Sequence, residues 1–405
     1  MAFIWKYCAY YFELHDFFKL HGFCIVQRKI FMYNKCAVIG GKRMDNLKYM
    51  HLYQWLKEQI VEGQLGPGSK VYSELKLSEM FQVSRQTVRQ GISLLEKEGL
   101  VTRAKGSGTY VTERSAKYIR RNTKTIGVIM TYVDDYIFPS IISGINGYLS
   151  KAGYTINLYI TYNKRCNEEK ILRQIMNSQV DGLIIEPTKS SLVNTNKALY
   201  EQISCNLPCI LVNCYYPTLN LPYVMPDNTE SVRVITNYLI ERGHRRIAGI
   251  FKVDDEQGHL RFSGYARALQ ENGLTVDDAL LSWYQTEDFD YAFEGRWGDN
   301  ILEQLKTCTA VVCYNDQIAV KLMAFLRKNG IHVPNDLSVA SFDDALLSLV
   351  DVPLTTMAHP KEMVGCMAAQ NLLRLIEDPS IEASYVFPPK LIERESIRDL
   401  RTVKK

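Results

Sequence analysis

The sequence predicts an α/β chain in which a small winged helix-turn-helix domain precedes a two-lobed domain built on parallel sheets. Three features carry that reading. Two short amphipathic segments separated by a tight turn lead into a glycine-tipped strand pair over residues 73–111. From residue 125 onward, apolar strand runs alternate with helical periodicity, the signature of βα units around a parallel sheet. The alternation then begins afresh near residue 231, so two lobes are expected.

The first 43 residues differ in kind, being rich in aromatics and without period. A signal peptide needs a basic start, an unbroken apolar core and a small-residue cleavage site, and Lys6, Glu13, His15 and Asp16 interrupt this one. No run is long enough to span a membrane. The "GGK" at Gly40 to Lys42 is not a phosphate loop, because Cys36 stands where its first glycine belongs and Arg43 follows the lysine. Residues 1–43 are expected to be an upstream extension, for which the choice of start codon is one source, because the stretch similar to a known family begins only after Met44; a small partner-binding segment is the alternative.

The next stretch, 44–112, carries the winged domain. Ser73 is a candidate N-cap for a helix whose Leu77, Met80 and Phe81 are spaced for burial. After a turn at Gln82 and Val83 comes "VSRQTVRQ", where Ser84 caps a second helix and Val88, Ile92 and Leu95 recur at i, i+4, i+7. Arg85 and Arg89 share another face. Two such arginines usually mean only a solvated helix face. Here the turn between the helices sets the second one up to enter a DNA major groove, where arginine forks pair with guanine O6 and N7. Downstream, residues 100–103 and 109–111 read as strands around Lys105, Gly106, Ser107 and Gly108, a tip able to approach a phosphate closely.

The run "LYQWLKEQIVEGQLGPGSKV" through "VSRQTVRQGISLLEKEGLVTRAKGSGTYV" closely resembles the winged-helix domain of the GntR family, over about 47–112. That resemblance implies contacts to operator DNA by Arg85, Gln86, Thr87 and Arg89 of the recognition helix and by Lys105 and Gly106 of the wing. Glu74 and Lys48 match contacts made in the arabinose-repressor branch. The usual "PSE" entry is altered, with Tyr72 in place of proline and Leu75 in place of a polar residue.

Composition agrees with this reading. A net charge of +4 is only mildly basic, so local rather than total charge must attract nucleic acid. Ten cysteines could suggest disulfides or zinc, but there is no C-x-x-C, and Cys205, Cys209 and Cys214 fit no zinc spacing. Reduced thiols in a cytoplasmic protein, with no metal or cofactor, are expected. Residues 113–124 are polar, charged and without apolar period, and read as a linker.

In the body, "TIGVIM", "YTINLYI" and "VDGLIIE" read as strands, with helices at "FPSIISGINGYLSKAG" and "NEEKILRQIMNSQ". The second series runs from "SVRVITNYLIERG" through "RRIAGIF", "LRFSGYARALQENG", "TAVVCYND" and "QIAVKLMAFLRKNG" to "LSVASFDD". Two such lobes place a ligand cleft outside the carboxyl ends of their strands. The polar residues at those ends are Thr131, Glu186, Asn213, Asp227, Asn315, Asp316, Asp343 and Asp344. Carboxylates and amides there suit a ligand rich in hydroxyls, although Asp and Asn also commonly cap the helix after a strand. Asp316 and Asp344 are expected to be caps, and Asn315 and Asp343 to face the ligand.

"RFSGYARAL", "CYNDQIAVKLM", "VPNDLSVASFDD" and "PLTTMAHP" resemble the effector domain of the LacI/GalR repressors, over roughly 125–400, which implies a type I periplasmic-binding-protein fold. The resemblance implies effector binding by Phe138, Arg261, Asn315 and Asp343, with Asp227 and His359 near the cleft and His244 and Arg245 in a structural turn. A GntR head on a LacI-like body resembles the AraR-type arabinose repressors. "DGLIIEPTKS" and "VNCYYPTLNLPYV" add Glu186, and Tyr215 beside it, as cleft residues. The implied protein is a cytoplasmic homodimer that binds operator DNA and responds to L-arabinose. Another pentose or a nucleoside remains an alternative effector. An exported sugar-binding protein would need a signal peptide and no wing. A sugar-active enzyme would need an acid and base pair, and the chain carries no nucleophile motif, metal cluster or phosphate loop.

Overall fold

The computed structural model describes residues 44–403, apart from 105, 114, 116–122, 135 and 350–351. The expected extension at 1–43, Lys105 of the wing and most of the expected linker lie outside the described residues. The chain divides into two compact units between Ile119 and Arg120.

The first unit holds helices α1 (Met44–Val61), α2 (Glu74–Phe81) and α3 (Arg85–Lys97) and strands β1 (Val101–Ala104) and β2 (Gly108–Val111). Ser73 caps α2, its side chain accepting from Lys76 N, and Gln82 ends that helix in the left-handed region at φ 52°. Ser84 caps α3 in the same manner through Thr87 N. The stripe of Val88, Ile92 and Leu95 is fully buried against Leu52, Leu56 and Ile60 of α1. α3 approaches α1 at Gly91, where a Cβ would lie 2.6 Å from Leu52 Cδ2 and 3.1 Å from Tyr49 O. The wing is an antiparallel pair with Val101 opposite Val111 and Ala104 opposite Gly108.

The second unit has two lobes, each on a six-stranded, largely parallel sheet. Lobe one contains β3 (Thr125–Met130), β4 (Thr155–Ile160), β5 (Gly182–Ile185), β6 (Cys209–Val212) and β7 (Tyr223–Pro226), with helices α4 (Phe138–Lys151), α5 (Arg165–Met176) and α6 (Lys197–Ser204). Lobe two begins with α7 (Asn228–Glu241), β8 (Ile247–Lys252), α8 (Glu256–Glu271) and β9 (Leu281–Tyr284). It continues through α9 (Gly295–Leu305), β10 (Ala310–Cys313), α10 (Asp316–Lys328), β11 (Ser338–Asp343) and β12 (Thr355–Ala358).

The chain then does something the period of the sequence does not announce. Helix α11 (Lys361–Glu377) and strand β13 (Tyr385–Phe387) return to lobe one, before β14 (Leu391–Ile392) closes lobe two. The sheet orders are β13-β7-β6-β5-β3-β4 and β14-β12-β11-β10-β8-β9. Buried Val364, Ala368, Ala369 and Leu372 of α11 join Ile126, Val128, Ile141 and Ile145 in the lobe-one core. Each lobe thus contains chain from both sides of the crossing points, at Asp227, at His359 and Pro360, and at 388–390.

Both lobes use glycine to bring a helix pair close. In lobe one a Cβ at Gly365 would lie 2.1 Å from Ile141 O, and one at Gly144 would lie 2.1 Å from Glu362 O. In lobe two a Cβ at Gly264 would lie 2.0 Å from Thr229 O. The obstacle in each case is backbone, which cannot rotate away as a side chain would. Gly365→Val should therefore destabilise the body by about 1–3 kcal/mol or more, measured as a lower urea midpoint, while an equal midpoint would show that α4 and α11 can separate freely.

Candidate functional site

In the first unit, Arg85, Gln86 and Arg89 project from one exposed face of α3. Arg89 is engaged: its Nε donates to Glu74 Oε1 at 3.1 Å and Oε2 at 2.9 Å, so two expected DNA contacts form one ion pair. Arg103 Nη2 in the wing donates to Arg89 O at 3.3 Å. Thr87 is placed otherwise than expected. It is buried, and its hydroxyl lies 2.9 Å from Ser84 Oγ, which ties it to the helix cap. Gly106 turns the exposed wing tip at φ 76°, and a Cβ there would meet nothing within 4 Å. Lys48 is half-buried on α1.

In the second unit a cleft of about 760 Å³ opens between the lobes. Of the expected effector residues, Phe138, Glu186, Asn315 and Asp343 line it. Glu186 follows β5 and accepts from Thr131 N at 2.8 Å, from the Thr131 hydroxyl, and from Asn213 Nδ2 at 2.6 Å. Burial pushes its carboxyl above the usual range, against the donors from Thr131 and Asn213 that favour the charged form. Asn315 does two things: it lines the cleft and also caps α10, its Oδ1 accepting from Ile318 N at 3.1 Å. The expected cap Asp316 instead accepts from the hydroxyls of Ser341 and Thr356 and from Ala345 N, bracing the ends of β11 and β12. Asp344 pairs with Arg394.

Asp343 is the centre of the site. It ends β11 in the left-handed region at φ 100°, and its Oδ1 accepts from Arg261 Nη2 at 3.2 Å. Its other oxygen accepts from the Tyr136 hydroxyl, which arrives from lobe one. Burial would push this carboxyl up, but the Arg261 guanidinium beside it holds it below the usual range. Arg261 stands behind the cleft, 3% exposed, and also donates to Asn228 Oδ1 at 3.0 Å and to Tyr314 O. It is thus bonded to Asp343 and does not itself line the cleft. Asp227 is likewise behind the cleft, capping α7 through Glu230 N at 2.9 Å. His244 sits in the structural turn expected of it, bonded to Thr309 Oγ1 at 2.9 Å and Arg398 O at 3.0 Å.

Sequence reasoning missed Tyr136, Lys252, Asp255 and Gln257, all of which line the cleft. Lys252 ends β8, and its Nζ contacts Asp255 Oδ2 at 2.6 Å. The strand-end position of Lys252 was the available signal; Tyr136 lies in an irregular loop and offered none. Further hydrogen bonds cross between the lobes: Gln257 Nε2 donates to Asn213 O at 2.8 Å, and Glu256 N donates to Ser190 Oγ at 2.8 Å.

His359, at the second crossing, is buried with neither ring nitrogen hydrogen-bonded, and burial pushes its imidazole down to about 4. An unfolded histidine takes up its proton near pH 6.5. Between those values the unfolded state binds more protons, so this residue's contribution to stability falls as pH drops. His359→Gln should flatten the loss of stability between pH 6.5 and about 4, by on the order of 2 kcal/mol, in urea unfolding at several pH values; an unchanged slope would contradict the assignment.

Comparison with known proteins bears on both units. Residues 48–111 match the bacterial regulatory proteins of the gntR family, and 236–397 match the periplasmic binding protein-like domain. The solved transcription regulator CcpA of Lactococcus lactis is 25% identical with TM-score 0.61, covering 68% of this chain and 99% of its own. A regulator CelR–cellobiose complex, 23% identical with TM-score 0.60 over 78% of this chain and 92% of that one, shares the fold. Two relatives match nearly end to end. The arabinose metabolism transcriptional repressor of Geobacillus stearothermophilus is 37% identical over 87% of this chain and 98% of its own length. That of Halalkalibacterium halodurans is 35% identical over 88% and 98%. With a gntR-type head, a periplasmic-binding-protein-like body and this similarity over nearly its whole described length, the chain belongs to the family of arabinose metabolism transcriptional repressors.

Proposed function

We propose that this protein represses transcription by binding operator DNA as a homodimer in the cytoplasm, and that L-arabinose in the cleft releases it. It acts by binding rather than by catalysis. The observation that carries the reading is the union, in one chain, of an exposed arginine face on α3 with a cleft lined by Glu186, Asn315 and Asp343. The relatives named as arabinose metabolism repressors support the choice of effector. Among the described residues no helix is long and apolar enough to cross a membrane.

Arg85, Gln86 and Arg89, with Gly106 and Lys105 of the wing, are the proposed contacts to DNA, while Glu74 holds Arg89 and Thr87 holds the helix cap. Phe138, Glu186, Asn315 and Asp343 are the proposed sugar contacts, and Arg261, Asp227 and His359 support them from behind. Twofold pairing of heads matches a near-palindromic operator and doubles the few base contacts one head can make.

The deciding experiment is a gel-shift titration of operator DNA with and without L-arabinose. Release by the sugar is expected; operator binding that no concentration of L-arabinose alters would refute the effector. Arg89→Ala should cost about 1–3 kcal/mol of discrimination between operator and unrelated DNA, read from competition binding. Asp343→Asn keeps the shape of the side chain and removes its charge. Provided urea unfolding shows that the body of the variant is still folded without the charge that pairs with buried Arg261, it should leave operator affinity near normal while weakening L-arabinose at least tenfold by calorimetry, because binding at the two sites is linked only through their coupling free energy. Normal sugar affinity in that variant would remove Asp343 from the site.

A further inference from the structure

The cleft is larger than the sugar proposed for it, and its two ends differ. A cavity of about 760 Å³ is of the size that holds drug-sized ligands, whereas one pentose ring is a fragment of that scale. At the inner end Thr131, Glu186, Asn315 and Asp343 are each at most 7% exposed. At the mouth, Tyr162 and Lys164 of lobe one and Glu287, Phe289 and Asp290 of lobe two also line the cleft. Of these, Phe289 is half-buried and the others are exposed.

Tyr162 is held there by its backbone. It and Asn163 adopt left-handed conformations, at φ 52° and 50°, which tyrosine in particular disfavours. Such strain persists where the surroundings over-determine it. Asn163 is buried; its Oδ1 accepts from Lys189 N at 2.9 Å, and its Nδ2 donates to Thr286 Oγ1 of the opposite lobe at 2.7 Å. On the other side, the buried Thr161 hydroxyl accepts from Thr188 Oγ1 at 3.1 Å. With both flanks pinned, the Tyr162 ring is displayed at the mouth, 54% exposed. Facing it across the Asn163–Thr286 bond is the segment that carries Phe289, whose ring Lys321 Nζ covers at 4.4 Å. Glu287 is held by Lys189 Nζ at 2.6 Å, and an aromatic ring lining the same mouth as Lys164 and Asp290 can pack on the C–H face of a sugar ring while its hydroxyls are bonded at the edge.

We propose that the mouth is a second sugar subsite, so that the cleft takes a pentose-containing disaccharide, with one ring at Glu186 and Asp343 and the other against Tyr162. The inference rests on the arabinose reading and extends it. It is tested by calorimetry on the full chain, titrating L-arabinose and α-1,5-linked L-arabinobiose into the natural protein and into Tyr162→Ala, a change at an exposed position. The disaccharide is expected to bind the natural chain at least as tightly as L-arabinose. Tyr162→Ala should weaken the disaccharide about tenfold and alter L-arabinose by less than about twofold. Equal losses for both sugars, a disaccharide affinity that Tyr162→Ala leaves unchanged, or no disaccharide binding by a chain that binds L-arabinose overturns the subsite alone. If neither sugar binds the natural chain, the arabinose reading fails and the subsite with it.

Discussion

The buried pair of Asp343 and Arg261 is the contact on which the body is organised. Arg261 reaches from α8 to the carboxylate at the end of β11, and on the way binds Asn228 at the first crossing and the carbonyl at the end of β10. Lys361, just past the second crossing, donates to Asp343 O, and Tyr136 of lobe one donates to its side chain. The carboxylate thus bonds one group from each lobe, Tyr136 and Arg261, while the Asp343 carbonyl and the rest of the guanidinium engage Lys361, Asn228 and Tyr314. Two charges withdrawn from water are weak evidence of net stability, but removing either partner of such a pair typically costs about 3–5 kcal/mol. A group that competes for this carboxylate would act on Arg261 and Tyr136, and through them on both lobes.

That junction has consequences because the lobes are interleaved rather than strung in series. Three passages of chain connect them, and α11 is packed too closely on α4, glycine against backbone, for lobe one to loosen around it. The crossings and the polar contacts spanning the cleft are the places where the two lobes are joined. A ligand can shift such a two-state arrangement only by as much as it binds one state better than the other. Residues that reach across, such as Tyr136, Asn163 and Gln257, set how much differential affinity is available.

The head depends on different physics. It has its own core and two serine-capped helices, so its shape follows from local chemistry and a single stripe of packing. The pairing of Arg89 with Glu74 holds the guanidinium on the exposed face without a deep energetic commitment. Both partners are substantially exposed, and pairs of that kind contribute about 0.2–1 kcal/mol. A competing partner can thus displace Glu74 from Arg89 at little cost.

The sequence by itself determined the elements whose signals are local: serine caps, the buried stripe of Val88, Ile92 and Leu95, the glycine wing tip, and the strand and helix alternation of the body. It also placed Glu186 and Asp343 at strand ends, because strand ends are read from where apolar runs stop. Tertiary structure alone decided that 361–387 returns to lobe one, since a βα unit looks the same whichever sheet receives it. It alone decided that Asn315 rather than Asp316 caps α10, because the two adjacent side chains differ only in which direction the backbone points them. It also showed Thr87 buried against the cap of α3, which the helical spacing alone does not reveal. Tyr136 and Tyr162 were illegible: they lie in loops without period, and their roles come from partners distant in the chain, Asp343 for the first and the neighbours Lys189 and Thr286 of Asn163 for the second.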